Sequence, residues 1–489
     1  MTNYQLSRRG LLSGVLGVTV ASGLAGCGFR QSPEAVAMEM IEAREAALRA
    51  SGGVKSFRLK ADFAEIDLGG TIAKTWAYGN ILPGKIIRVN KGDRVRVQFE
   101  NELPVPTSVH WHGLAIRNDM DGVPGVTTPE VQTGKNFNFE FITPDAGTYW
   151  FHPHSGTQLD RGLYAPFIVD DPNEPTTYDR EWILILDDWT DGVGKNPDQI
   201  LAELKKSGAG TDMGGMHMGG MDMEGMDTGD VVYPMYLING RPNNDPETFA
   251  AKPGERIRLR IINAAADTIF RVALSQHLMS VTHTDGFPVM PSKVSLLQVG
   301  MGERYDVVVT LKDGVFPLVA RAVGKSQIAR ALIRTASGQV PSSSFQPQEL
   351  TASPLRAETL QATDSVRLPS KKPDRIQDLI LTGSMNPYIW KINGRVYEQT
   401  KALTIKQNEI GRLRLRNMSM MPHPIHLHGH TFQLGKAGGS GARKDTVLLQ
   451  AMGSIDVDYV ATNPGKWMIH CHNAYHAEAG MMTRLEYIT

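Results

Sequence analysis

Cysteine is almost absent from this chain: Cys27 and Cys471 are the only two in 489 residues. An even count in an exported protein ordinarily suggests a disulfide. Here Cys27 closes an N-terminal leader and Cys471 lies between two histidines, so neither is free to staple the fold. A core the size of three domains can stand without one. A charge bias is also missing. Lys plus Arg and Asp plus Glu each number 51, which removes the electrostatic footprint expected of a nucleic-acid partner. Beyond the leader, no apolar run is long enough to span a bilayer. What is left, 41% hydrophobic and 21% charged residues, is an ordinary globular composition. At about 150 residues per domain the length suggests three domains.

Residues 1–27 read as an address, not as structure. Arg8-Arg9 precedes a short apolar stretch that ends in Leu24-Ala25-Gly26-Cys27. Paired arginines before an apolar core resemble a twin-arginine export signal, a route that carries folded proteins and suits a cofactor loaded beforehand. An ordinary secretory signal with an accidental arginine pair is the alternative. Leu-Ala-Gly-Cys resembles a bacterial lipobox. Cleavage there would leave Cys27 as the lipidated first residue, anchored in a membrane on the periplasmic side of the cell envelope; the alternative is a cysteine inside a discarded leader. Residues 28–57 are then a spacer with a lead-in helix over 35–50.

The body repeats at domain scale. Three segments, closing on Asn101, Asn263 and Asn417, share an Asn-Gly or Gly-Asn turn, a second polar turn, and an alternating run such as Val95, Val97, Phe99. Period-two alternation with Gly, Asn and Pro punctuation predicts antiparallel strands of a β-sandwich. The expected fold is all-β, with three sandwiches at 58–175, 176–345 and 376–489 and a Ser/Pro-rich linker at 346–375. A further helix is expected near 197–206. Counting nine and eleven residues from each Asn gives His110 and His112 in the first unit and His426 and His428 in the third. The middle unit has Val272 and Leu274 there. Counting five and seven from Gly147 and Gly465 gives His152, His154, His470 and His472, whereas Gly314 gives Val319 and Arg321. The middle domain therefore reads as a metal-free spacer, and a metal site is shared by the outer two.

Fourteen histidines occur, and ten of them fall in HWHG (110–113), HPH (152–154), HPIHLH (423–428) and HCHNAYH (470–476). On a strand, alternate side chains share a face, so both histidines of H-x-H point the same way. A lone buried histidine is more often a packing residue, but four such pairs from homologous places make a metal site. In HCH, Cys471 points away from His470 and His472, so its thiolate can bind one metal while its neighbours bind others. His423, Cys471 and His476 with a weak axial Met481 form the blue-copper arrangement, suited to one-electron transfer.

In this order and spacing the four motifs resemble those of multicopper oxidases, the family of laccases and bacterial copper-resistance oxidases. The resemblance covers nearly all of 58–489, and the leader further resembles actinobacterial lipoprotein oxidases involved in copper tolerance. It implies three cupredoxin-like Greek-key domains and four copper ions. His423, Cys471, His476 and Met481 would hold the type 1 copper, and His110 and His426 the type 2 copper. His112, His152, His154, His428, His470 and His472 would hold the type 3 pair. Of the other histidines, His430 would orient neighbours, and His277 and His283 would be packing or surface residues. Four-electron reduction of dioxygen to water also needs protons from nearby acids. Asp121, in NDMDGVPG, matches the family carboxylate behind the type 2 copper. The family's second acid follows the last type 1 histidine, where this chain has Ala477; Glu478 is one residue further along.

The reductant is less constrained. Between the first two domains, TDMGGMHMGGMDMEGMDTGD (211–230) carries Met213, Met216, Met218, Met221, Met223 and Met226 with His217. Soft, non-titrating thioethers suit Cu(I); the plainer reading is a low-complexity loop. Met420 and Met421 precede His423. The family's substrate Cu(I) site uses a Met at the position of Met421 and an Asp where this chain has Ser419. The favoured expectation is oxidation of Cu(I) to Cu(II) with dioxygen as acceptor, by a monomer. The alternatives are a laccase acting on phenols or aromatic amines, and a non-catalytic copper-sequestering lipoprotein.

Overall fold

The computed structural model describes residues 33–48, 50–207, 229–369, 371–435 and 439–488. The leader with Arg8, Arg9 and Cys27, and the methionines of 213–226, lie outside the described residues. Among the described residues no helix is long and apolar enough to cross a membrane.

Among the described residues, six sheets form three successive pairs. In each pair, one strand carries the repeat found in the sequence: Arg94–Asn101, Arg256–Asn263 and Ile410–Asn417. Each of these runs parallel to the strand that opens its unit, with Val54↔Arg94, Arg180↔Ile257 and Arg375↔Gly411 in register. The alternating residues Val95, Val97 and Phe99 are all buried, as period-two burial requires.

The repeated asparagine has a structural cause. Asn101, Asn263 and Asn417 are fully buried. In each, the side-chain oxygen accepts the backbone N–H two residues on, from Leu103, Ala265 or Ser419. The side-chain NH₂ donates to two backbone carbonyls: Val105 and Val131, Thr268 and Val299, or Met421 and Gln450. One side chain thus satisfies three buried backbone groups where each strand leaves its sheet, a saturation that such groups demand.

The lead-in helix spans Pro33–Leu48 and clasps two domains. Arg44 donates to Ala115 O of the first (2.7 Å) and Thr462 O of the third (3.1 Å). The second expected helix is Pro197–Ser207. Residues 346–375 do more than link. Two short 3₁₀ turns there bury Leu350, Ala357 and Leu360, and isolated bridges tie Leu355 to Leu297, Ala362 to Val289 and Gln361 to Gly441.

Candidate metal centre

Strand register delivers the imidazoles. His110–His112 pairs with Gly147–His152 so that His110 lies opposite His152. In the third domain His426 lies opposite His470. Alternation sends Trp111, between the two histidines of HWH, into a cage of Phe139, Phe141, Phe151 and Phe167. The same alternation separates Cys471 from His470 and His472.

The structure gathers the motif residues into tight groups. His112, His152 and His472 form one triad and His154, His428 and His470 another. His110 and His426 meet His112 in a third group, and His423, Cys471 and His476 form a fourth; within each group the ligand atoms lie within 4.8 Å of one another. In the last group Cys471 Sγ is 3.6 Å from His423 Nδ1 and 3.7 Å from His476 Nδ1. Met481 is buried, and its backbone N–H and C=O bond to His476 and Cys471.

Outward hydrogen bonds fix which nitrogen faces inward. His110 Nδ1–H donates to Asp121 O (2.8 Å), His152 Nδ1–H to Pro153 O (2.8 Å) and His470 Nδ1–H to Cys471 O (2.9 Å). His428 Nδ1–H donates to Asp121 Oδ2 (3.0 Å) and His476 Nε2–H to Asp230 Oδ2 (2.9 Å). Ser419 Oγ donates to Asn417 Oδ1 (2.8 Å), so it accepts from His423 Nε2–H (2.7 Å). The inward nitrogens of His428 and His470 then face each other at 3.0 Å, as do those of His423 and His476. Two lone pairs at that distance repel unless a cation lies between them. A metal about 2 Å from each nitrogen relieves the conflict. The Nε2 atoms of His110 and His426 are buried and have no partner, as two ligand atoms awaiting an ion would be.

Electrostatics agree. Burial first, and then neighbouring imidazoles, hold His112, His152, His428, His470 and His472 well below the ordinary histidine range. The same causes bring His154 to about 3 and depress His423. These rings are neutral at physiological pH, the form that binds metal. Burial pushes the Cys471 thiol up, so a thiolate there requires a cation. Neutral imidazoles with one thiolate are the donor set that suits copper.

The other sequence-predicted residues divide. Asp121 is fully buried and touches His110 and His428. For Glu478, burial raises the carboxyl, and its charged neighbours are Lys205, Glu398 and Asp198. Met420 is 36% exposed, and Met421 is half-buried against the core. His430 bonds His428 O and Tyr487. His277 and His283 are both buried; the first bridges Ser275 O and Lys312 N, and the second pairs with Glu174. The middle domain is not merely a spacer. A Cβ on its Gly302 would lie 2.9 Å from His472 and 3.0 Å from His112. Spacing rules could not find Asp230, Arg304 or Asp445, which reach the imidazoles or their partners across domain junctions. Trp390, whose ring lies 4.1 Å from His476 and 5.1 Å from His423, carries no motif signal.

A wired thiolate site beside a cluster of eight imidazoles, on three cupredoxin-like sandwiches, defines a copper-dependent oxidoreductase. Family models described as multicopper oxidase match residues 63–174, 180–339 and 367–488, and the chain belongs to that family. It is 49% identical to "Multicopper oxidase MmcO" of Mycobacterium tuberculosis, across 99% of this chain and 97% of that one. It is 26% identical to "Copper resistance protein A" of Pseudomonas syringae pv. tomato, across 96% and 97% of the two chains. In fold it resembles the crystal structure of Fet3p, a multicopper oxidase that functions in iron import. The TM-score is 0.75 at 21% identity, covering 89% of this chain and 90% of that one.

Proposed function

We propose that this enzyme oxidises Cu(I) to Cu(II) in copper tolerance and passes the electrons to dioxygen, which takes four electrons and four protons to give two waters. On this reading His423, Cys471, His476 and Met481 hold the type 1 copper, and His110 and His426 hold the type 2 copper. The two imidazole triads hold the type 3 pair, for four coppers in all. Bound copper supplies the one-electron steps and the dioxygen chemistry. The chain's own part is to hold neutral imidazoles inward, exclude water from the thiolate, and keep the Asp121 carboxylate against His110 and His428 for proton delivery.

The observation that carries the choice of substrate is what surrounds the Met-rich segment and the thiolate site. The helix Pro197–Ser207, just before that segment, packs against the strand Tyr388–Ile392, whose Trp390 lies on His423 and His476. Asp230, just after it, accepts hydrogen bonds from His476 Nε2 and Tyr388 Oη. Both flanks of a thioether-rich segment thus abut the thiolate site. In addition, Met418, Met420 and Met452 are exposed around Ser419, which bonds His423 and accepts the Met452 N–H. Soft donors beside the thiolate site favour a cuprous substrate. Relatives named for copper resistance fit the same reading.

Oxygen uptake by the copper-loaded protein tests it, with Cu(I) and a phenol as donors and with and without residues 212–227. Strong uptake with Cu(I) that weakens on deletion supports the proposal. A phenol as the better donor, with deletion neutral, makes the protein a laccase; no uptake leaves copper sequestration. We further propose twin-arginine export of a monomer anchored by lipid at Cys27 in the cell envelope. Release of a Cys27→Ala variant from membranes is expected, and its retention there would refute the anchor.

A further inference from the structure

Two stacked imidazole pairs join the outer domains. His110 lies on His428 and His112 on His426, each with ring centroids 3.9 Å apart. One aspartate stands behind each pair. Asp121 accepts His110 Nδ1–H on its backbone oxygen (2.8 Å) and His428 Nδ1–H on its carboxylate (3.0 Å). Asp445 accepts His426 Nδ1–H on its backbone oxygen (3.0 Å) and has a carboxylate oxygen 3.2 Å from His112 Nε2. The two acids occupy matching positions, one from the first domain and one from the third.

The two differ in what holds them. Asp445 is gripped at both oxygens by Arg304 of the middle domain, at 2.7 and 2.6 Å. Thr446 Oγ1 donates to Asp445 Oδ1 at 2.9 Å and itself accepts from His112 Nε2–H at 3.2 Å. Arg304 is itself fully buried and fixed by Thr148 O of the first domain (3.0 Å) and by Asp285. Burial alone would raise the Asp445 carboxyl, but Arg304, His112 and His426 hold it well below the ordinary range. Among the described residues, Asp121 pairs only with the imidazoles of His110 and His428. The clamp also explains a motif glycine. Gly113 of HWHG has φ +84°, and a Cβ there would lie 2.4 Å from Arg304 Nη2 and 2.5 Å from Asp445 Oδ2.

We propose that Asp445, clamped by Arg304, is a positioning residue for the imidazole cluster. Its carboxylate, together with the Thr446 hydroxyl that donates to it and accepts from His112 Nε2–H, holds His112 with the proton on Nε2 and the Nδ1 lone pair turned inward, and its carbonyl leaves His426 Nε2 free to bind. The ligand-free middle domain is thereby a working part of the metal site. This rests on the copper reading of these imidazoles. A carboxylate behind a metal-binding histidine fixes its tautomer and raises its basicity, and removing such a partner typically weakens metal retention about 10- to 100-fold.

The test uses the full copper-loaded chain as wild type, Asp445→Asn, Arg304→Lys and Asp306→Asn. Asp306 is a control: it sits in a buried domain-junction ion pair with Arg258 and Arg260 and bonds Thr148. Copper per chain is measured after dialysis against a graded chelator, together with the type 2 paramagnetic resonance signal. The Cys471 thiolate-to-copper absorption reports the fold. Asp445→Asn is expected to lose cluster copper at about 10- to 100-fold lower chelator, with an altered type 2 signal and intact blue absorption, and Arg304→Lys to fall between it and wild type. Wild-type retention and signal in Asp445→Asn, or a loss no greater than in Asp306→Asn, would overturn the proposal. If Asp445→Asn does not fold, Arg304→Lys decides on the same readouts. A wild type with neither blue absorption nor cluster copper would overturn the copper reading, and the proposal with it.

Discussion

Substituting Gly302 by alanine isolates what the middle domain does to the site. Gly302 has φ +81°, and an added Cβ would lie 2.9 Å from His472 Cδ2 and 3.0 Å from His112 Cε1. Ordinary carbon contacts are about 3.5–4.0 Å, so both rings or the Gly302 backbone must give by roughly 0.5 Å. Gly254 supplies the control: its φ is +84° and nothing lies within 4 Å of an added Cβ. Gly254→Ala should therefore show only the left-handed backbone cost, about 1–2 kcal/mol. Gly302→Ala adds an overpacking cost of about 1–3 kcal/mol, or roughly 2–4 °C of thermal midpoint per kcal/mol for a domain of this size. The decisive readout is copper. His112 and His472 belong to one triad, so displacing them should lower copper retention in Gly302→Ala and leave it unchanged in Gly254→Ala. Equal midpoints and equal copper content in the two variants would refute the reasoning.

Cys471→Ser should abolish the blue absorption and turnover while the fold survives; oxidase activity in that variant would sink the thiolate assignment. Asn417→Ala leaves the carbonyls of Met421 and Gln450 without their shared donor and should cost about 2–4 kcal/mol. It should also perturb the blue absorption, because Asn417 orients the Ser419 hydroxyl on His423. Asn263→Ala, the same staple in the middle domain, should cost a similar amount and leave the spectrum alone, and a matching spectral change in both would contradict the coupling. The metal-free protein should lose stability on acidification. The folded state depresses His112, His152, His154, His423, His428, His470 and His472, so below the unfolded value of about 6.5 the unfolded chain binds more protons. The stability is fully present above that pH and falls below it, by at most about 1.4 kcal/mol per group per pH unit. Copper loading should shift the fall to lower pH, and a thermal midpoint that is flat from about pH 7.5 to 5.5 in the metal-free protein would count against buried neutral rings.

Much of this was legible in the chain. H-x-H on a strand fixes a shared face whatever the fold around it, so the repeat located eight of the ten imidazoles, and the HCH alternation separated Cys471 from its neighbours. The asparagines that served as counting marks recur because each unit must satisfy the same three backbone groups where a strand leaves its sheet. The lead-in helix and the helix at 197–207 were legible from composition and period, within a few residues. Glu478 shows the limit: one residue from the family position, it has Lys205, Glu398 and Asp198 as its charged neighbours.

What the sequence determined was thus local: which residue types alternate, and therefore which donors share a face. The tertiary structure alone decided what stands behind those donors. Asp230 meets His476, Asp445 meets His112, and Arg304 meets Asp445 across separations of 141 residues or more. Periodicity along one strand carries no information about the strand packed behind it. The middle domain looks inert in the sequence because it has no ligands. In the folded molecule its Gly302 and Arg304 are pressed into the junction of the other two, where the absence of a side chain and the presence of one buried charge both shape the site.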